Sequence, residues 1–148
     1  MPTIRRFANC KISIYADDHL PAHFHVEGRG FRVVVELQTM AVRAGDHVLL
    51  RGQTGTDLNE KMHGAGDAVA QADQAMENVG VLLNEAGAGM TNVTKATVFV
   101  TDRAYLAGVT EVVQRRLAGV TACFSALVVK GLASPELLME VDVTAVKA

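Results

Sequence analysis

"DAVAQADQAMENVGVLLNEAG" spans residues 67–87. Its apolar residues Val69, Ala72, Met76, Val79, Leu83 and Ala86 recur at spacings of three and four, which lines them along one stripe of a helix. Asp67 predicts the N-cap, because its carboxylate accepts hydrogen bonds from amides that the first turn leaves unpaired. Gly87 predicts the stop, since glycine readily takes the left-handed conformation that ends many helices. The stretch therefore reads as a helix with one apolar side, and that side needs a sheet or another helix to bury it.

The flanking segments supply both. "TKATVFVT" (94–101) is rich in β-branched residues and reads as a strand. Asp102 predicts the cap of a second helix, with Leu106, Val109, Val113 and Leu117 on one face and Gly119 at its end. "ACFSALVVK" (122–130) reads as a strand that is apolar on both faces. "LLMEVDVTAV" (137–146) alternates Met139, Val141, Val143 and Ala145 against Leu138, Glu140, Asp142 and Thr144. Upstream, Gly45-Asp46 is a turn and "HVLLRG" (47–52) a short strand. From residue 46 the predicted order is strand, helix, strand, helix, strand, strand. Two amphipathic helices cover only one face of such a sheet. An apolar second face is then buried most simply against another copy of the chain.

The chain has 148 residues, 49% of them apolar, which suffices for one ordinary domain with a real core. Its 14 basic and 16 acidic side chains give a formal net charge of −2. There is no basic run or basic–aromatic stripe, so no nucleic-acid partner is expected. No apolar run reaches the roughly 18 residues of a membrane span, and "MPTIRRF" is not followed by the apolar segment of a secretory signal. Two distant cysteines, Cys10 and Cys123, argue against a disulfide framework and for a cytoplasmic location. Cys123 has no evident base partner and reads as a small buried apolar residue. No cofactor is implied.

From about residue 40 onward the chain resembles the Rid family (YjgF/YER057c/UK114). The resemblance rests on "LLRGQTG" (49–55), "AQADQAMENVGVLLNEAGAG" (70–89), "VTKATVFVTD" (93–102) and "LASPELLMEVDVTAV" (132–146), in the family's order and spacing. It implies an α+β, chorismate-mutase-like fold with two helices on one face of the sheet. It further implies a homotrimer with small-molecule clefts between subunits. Family members of the deaminase type hydrolyse reactive enamines and imines to keto acids and ammonia. That chemistry needs a cation for the substrate carboxylate and a group that positions water. In those deaminases the cation is an arginine on the strand before the last. Aligned back from Leu132, its position falls on Phe124, followed by Ser125, so the arginine is absent. Losing such a charge-assisted hydrogen bond removes roughly 1.5–3 kcal/mol, or about one to two orders of magnitude in carboxylate affinity. The family's last-strand glutamate is kept as Glu140, its glycine as Gly52, and an asparagine of the second helix aligns with Thr110. Arg51, next to Gly52, is the candidate for a relocated positive charge.

Residues 1–40 form a separate part. "MPTIRRF", "ISIYADDHLPAHFHV" and "GRGF" resemble the first half of a DUF4160 domain. "KISIYA" (11–16) and "FRVVVEL" (31–37) read as strands of a hairpin turning near Gly28–Gly30, which must dock on the body at 41–148, because half a domain cannot bury its own strand faces. In a strand His23 and His25 share a side; with His19 or a turn aspartate they are weak candidates for a metal. The simpler reading is a polar turn beside a solvated strand face. Two functional readings follow: an enamine/imine deaminase with Glu140 and Arg51 as catalytic candidates and Gly52, Thr110, Phe124 and Ser125 lining the cleft, or a non-catalytic trimer that binds a small molecule or a protein. The ribonuclease activity also attached to the family is disfavoured by the absence of a basic stripe.

Overall fold

The computed structural model describes residues 3–6, 10–13, 23–29, 31–36 and 41–147. It is an α+β structure built on one nine-stranded sheet. The strands are β1 (Thr3–Arg6), β2 (Cys10–Ser13), β3 (His23–Gly28), β4 (Phe31–Glu36), β5 (Ala41–Ala44), β6 (His47–Leu50), β7 (Val93–Val100), β8 (Cys123–Val128) and β9 (Met139–Val146). Helix α1 is Ala68–Glu85 and helix α2 is Leu106–Arg116. Across the sheet the order is β1-β2-β3-β4-β5-β6-β9-β7-β8. Among the described strands only β7 and β8 pair in parallel, joined by α2 as the crossover.

Local chemistry sets the elements much as the sequence predicts. Asp67 caps α1, its Oδ1 accepting from the amides of Val69 at 3.0 Å and Ala70 at 3.1 Å. Gly87 stands at φ +73° beyond the last turn, and the Ala88 amide bonds back to the Leu83 carbonyl at 2.8 Å. Asp102 caps a short 3-10 turn, through the Ala104 amide at 2.8 Å, so α2 starts later than the cap suggests. A turn also follows Gly28 as expected, with Gly28 opposite Phe31 in the β3–β4 hairpin.

Three readings change. β5 was not legible: "AVRA" is short and alanine-rich, with little strand preference. It forms because Gly45, at φ +61°, turns the chain so that Ala44 meets His47. Val69 belongs to the predicted stripe yet is 42% exposed; the buried face of α1 runs instead through Ala68, Ala72, Ala75, Met76, Val79, Leu82 and Leu83. Val69 flanks that face where α2 passes close: a Cβ on Gly108 would stand 2.8 Å from Val69 Cγ2. Finally, the N-terminal part holds four strands rather than a two-stranded hairpin: "KISIYA" contributes to β2, which pairs with β3 rather than with β4, and the hairpin that ends in "FRVVVEL" starts from β3 at His23. The four strands extend the main sheet through β4–β5 pairing.

Both helices pack on one side of the sheet. Met139, Val141, Val143 and Ala145 of β9 are buried there, with Ala96, Val98 and Val100 of β7 and Val48 and Leu50 of β6. The alternate residues face the other way. On that open face Leu49 is 46% and Leu127 44% exposed. Among the described residues no helix is long and apolar enough to cross a membrane. Asp67→Ala is expected to destabilise the chain by about 1 kcal/mol through loss of the α1 cap. Urea unfolding checks it, and an unchanged midpoint would contradict the cap's role.

Candidate ligand-binding site

The site begins where β6 stops. Leu49 pairs with Thr144 of β9, so an uninterrupted ladder would set Gly52 opposite Val141. Instead Gln53 sits there, its amide donating to the Val141 carbonyl at 2.8 Å and its carbonyl accepting from the Val141 amide at 2.8 Å. One extra residue is therefore accommodated between Leu50 and Gln53. Such a bulge breaks strict alternation and re-aims side chains. Gly52 is bared toward the open face, and a Cβ on it would overlap Oε1 of Glu140. The Glu140 carboxyl thus lies directly over the glycine backbone, which only a residue without a side chain permits.

Glu140 pairs with Phe99 and Asp142 with Thr97, so both carboxylates point to the open face two positions apart on β9. Burial pushes the Glu140 carboxyl above the usual carboxylate range, and the negative charge of Asp142 pushes the same way. The positive charge of Arg51 opposes both. Arg51 is exposed, and no ion pair holds its guanidinium among the described residues.

The structure brings together Glu140, Gly52 and Arg51. Ser125 is exposed on the same open face, opposite Thr97 on β8. Phe124 is not with them. It pairs with Ala96, whose side chain is buried under the helices, and packs against that core. Strict alternation along β8 dictates this: Phe124, Ala126 and Val128 share one side, Cys123, Ser125 and Leu127 the other. Thr110 lies on α2, in the helical layer, with its Oγ1 buried and unpartnered. Thr110 and Phe124 are thus separated from Glu140 by the sheet. Cys123 is exposed rather than buried, since β8 is an uncovered edge. His23 and His25 belong to β3, but their side chains, and His19 altogether, lie outside the described residues. Among the described residues no group of three or more His, Cys, Asp or Glu side chains is placed to hold a metal ion.

A set of buried amides on α1 escaped the sequence reading. Gln71 Nε2 donates to the carbonyls of Gly64 at 3.1 Å and Glu136 at 2.9 Å, while its Oε1 accepts from the Leu138 amide at 2.9 Å. Asn78 Nδ2 donates to the Thr56 carbonyl at 2.8 Å, and Gln74 Nε2 to Asn78 Oδ1 at 2.9 Å. These residues fasten the loop between Gly52 and Asp67 onto the helix. Within that loop Asp57 accepts from the amides of Asn59 and Lys61 and faces His63 Nε2 at 2.6 Å. Those bonds, that from Lys61 first, hold the Asp57 carboxyl below its usual range. The signal was present: Gln71 interrupts an apolar run of small residues on the face that ends up buried.

A family model described as Endoribonuclease L-PSP matches residues 29–147. A RutC family protein from Synechocystis sp. is 32% identical over 107 residues, which is 72% of this chain and 82% of that protein. Protein DfrA from Myxococcus xanthus is 37% identical over 82 residues, covering 55% of this chain and 63% of that one. A 2-iminobutanoate/2-iminopropanoate deaminase from Capra hircus is 38% identical over 64 residues, covering 43% and 47%. The chain thus spans less than two thirds of the length of the latter two. Among solved structures, a member of the YjgF/YER057c/UK114 family from Mycobacterium tuberculosis superposes with a TM-score of 0.64 at 30% identity, over 72% of this chain and 83% of that one.

The raised Glu140 carboxyl has a consequence for stability. The folded state holds this proton more tightly than the unfolded chain, a contribution fully present below the unfolded pKa and lost as pH rises through the folded one. Glu140→Gln stays neutral throughout and keeps it. Relative to the parent, its melting temperature is expected to be higher at about pH 7 than at about pH 4. Circular-dichroism melts at both pH values check this, and a constant or reversed difference would contradict it.

Proposed function

This chain belongs to the Endoribonuclease L-PSP family, the Rid or YjgF proteins, and from that premise we propose that it hydrolyses small imines and enamines at the Glu140–Gly52 site. The observation that carries the reading is the Glu140 carboxyl folded over the bare backbone of Gly52, with the positive charge of Arg51 acting on it. A relative that shares 38% identity over 64 residues carries the name of such a deaminase. The cleft is completed by a neighbouring copy of the chain in a homotrimer, because the site opens on the sheet face that the helices leave bare.

The chemistry follows from the groups present. A half-buried carboxyl with an elevated pKa is suited to take a proton from water near neutral pH and return it. The substrate reacts as its iminium ion, which an enamine becomes by taking a proton on carbon. Water oxygen adds to the iminium carbon, the C=N electron pair moves to nitrogen, and Glu140 takes the proton that the water gives up. Glu140 passes this proton to the carbinolamine nitrogen; the C–N bond then breaks and ammonia leaves as the carbonyl forms, the hydroxyl proton returning to Glu140. Glu140 gives that proton to the departing ammonia, which leaves as ammonium. Arg51 offers its guanidinium to a substrate carboxylate in place of the missing strand arginine.

Phe124 bears on the choice between catalysis and simple binding. Had its ring filled the site, hydrolysis of small imines would be obstructed. Its place against the helical core leaves the open face clear, which supports catalysis. The family's description as an endoribonuclease gains no support from the surface. Arg115 and Arg116 of α2 are engaged with Asp73 and Glu77 at 3.3 Å rather than offered to phosphates.

Ammonia release from 2-iminopropanoate, generated in place by an amino-acid oxidase, is expected to exceed the buffer rate. Arg51→Ala should lower it by about 10- to 100-fold, the equivalent of one charge-assisted hydrogen bond. A wild-type rate equal to buffer would remove the reaction, and equal rates for wild type and Arg51→Ala would remove the role of Arg51.

A further inference from the structure

We infer that Gln71, on the helix-covered side of the sheet, is the residue that positions Glu140 and Gly52 against each other on the open side. The inference rests on the reading of Glu140 and Gly52 as the reactive site, and it concerns how that site is held rather than what it does. Glu140 and Gly52 come from segments far apart in sequence, and their contact is too close to tolerate a shift of either strand. The Gln53–Val141 pair ties the two strands beside the contact, but the loop that leaves Gly52 and the turn that enters β9 still need a common reference.

Gln71 is fully buried and its side chain bonds to both segments at once. The Leu138 amide, two residues before Glu140, donates to Gln71 Oε1 at 2.9 Å. The Leu138 carbonyl in turn accepts from the Thr101 amide at 3.0 Å. The backbone entering β9 is therefore pinned from both sides, by α1 and by the end of β7. Through Nε2, Gln71 also holds the carbonyl of Glu136 in the approach to β9 and that of Gly64 in the loop leading away from Gly52. That loop is pressed against the same residue. A Cβ on Gly55 would stand 2.5 Å from Gln71 Cγ, and a Cβ on Gly64, at φ +69°, 2.7 Å from the Gln71 backbone nitrogen. Two glycines on either side of the loop thus make room for one glutamine.

The amide suits this task because it donates twice and accepts once or more from a single planar group. An apolar side chain of the same length would fill the space but leave the Glu136 carbonyl and the Leu138 amide without the partner Gln71 gives them, and the Gly64 carbonyl with the Asp67 amide alone. The first two would seek a new partner by moving their segment. Asn78 provides the contrast. It is a buried amide on the same helix and holds the same loop through Thr56, but it makes no bond to the segment entering β9.

The test uses the full chain. The Glu140 carboxyl is followed by carbon-detected NMR titration in wild type, Gln71→Met and Asn78→Leu, together with the kinetics of 2-iminopropanoate hydrolysis. A positioning role predicts that Glu140 titrates closer to the ordinary carboxylate range in Gln71→Met, while Asn78→Leu titrates like wild type. It also predicts a kcat lowered about 10-fold or more in Gln71→Met with KM changed much less, because misplacing a reacting group by a fraction of an ångström acts on the transition state. Should Gln71→Met fail to fold, Gly55→Ala, whose new methyl pushes on Gln71 Cγ, is expected to move the Glu140 titration in its place. An identical Glu140 titration in wild type and the variant that perturbs Gln71 would overturn the inference. Absence of hydrolysis by wild type would overturn the reaction alone, since the titration reads the position of Glu140 without it.

Discussion

A sheet has two faces, and this chain has two helices, both on the same one. Everything about the site follows from that imbalance. Under α1 and α2 the strands lose contact with water altogether, and Val48, Val98, Val100, Met139 and Val141 are fully buried. On the other face Leu49 and Leu127 stay nearly half exposed in the single chain, and the three β8 residues that face it, Cys123, Ser125 and Leu127, are all exposed. Burying a leucine completely is favourable by about 1.5–3 kcal/mol. Leucines left exposed in this way favour cover by another protein surface, and the partner proposed here is a second and third copy. The residues able to do chemistry lie on this open side. The carboxyl of Glu140 is only half covered by its own chain, so the proposed seam between copies would govern how wet the site is and how strongly its charges act.

The bulge before Gln53 and the glycine at 52 belong to one device. A regular ladder would have set a β6 side chain over Glu140 and left no backbone exposed to it. The extra residue breaks the ladder, and the missing Cβ admits the carboxyl. The cost is borne locally, because a bulge gives up one rung of sheet hydrogen bonding. The amides of α1 restore order on the other side of the sheet: Gln71 and Asn78 tie the carbonyls of Gly64 and Thr56 in that loop to the helix. The same helix therefore contributes an apolar stripe to the core and a polar edge to the loop that shapes the site.

What the sequence disclosed depended on whether the signal was local. Helix α1 was legible from Asp67 to Gly87 because its cap, its stripe and its stop are each carried by neighbouring residues, and β9 was legible from its strict alternation. β5 was not, since "AVRA" carries no strand signal of its own and forms only because the Gly45 turn returns it to β6. Val69 was misplaced for a related reason: periodicity assigns it to the stripe, while the close crossing of α2 at Gly108 decides its surroundings. At the site, Glu140 and Gly52 were named through resemblance, and alternation alone placed Glu140 on the less apolar face of β9. Phe124 was expected beside them. The sequence gives its neighbours but not which side of β8 begins facing the helices, and that parity is set by pairing with β7. Gln71 went unread because a polar residue within a helix is ordinarily solvent-facing. Only the arrival of two distant loops on the same spot gives it partners.

If neighbouring copies close the open face, purified full-length chain at micromolar concentration should scatter light as a particle of three times the 15.8 kDa chain mass. A mass equal to a single 15.8 kDa chain would contradict it, for the exposed face of β8 and the seam over Glu140 would then have no partner.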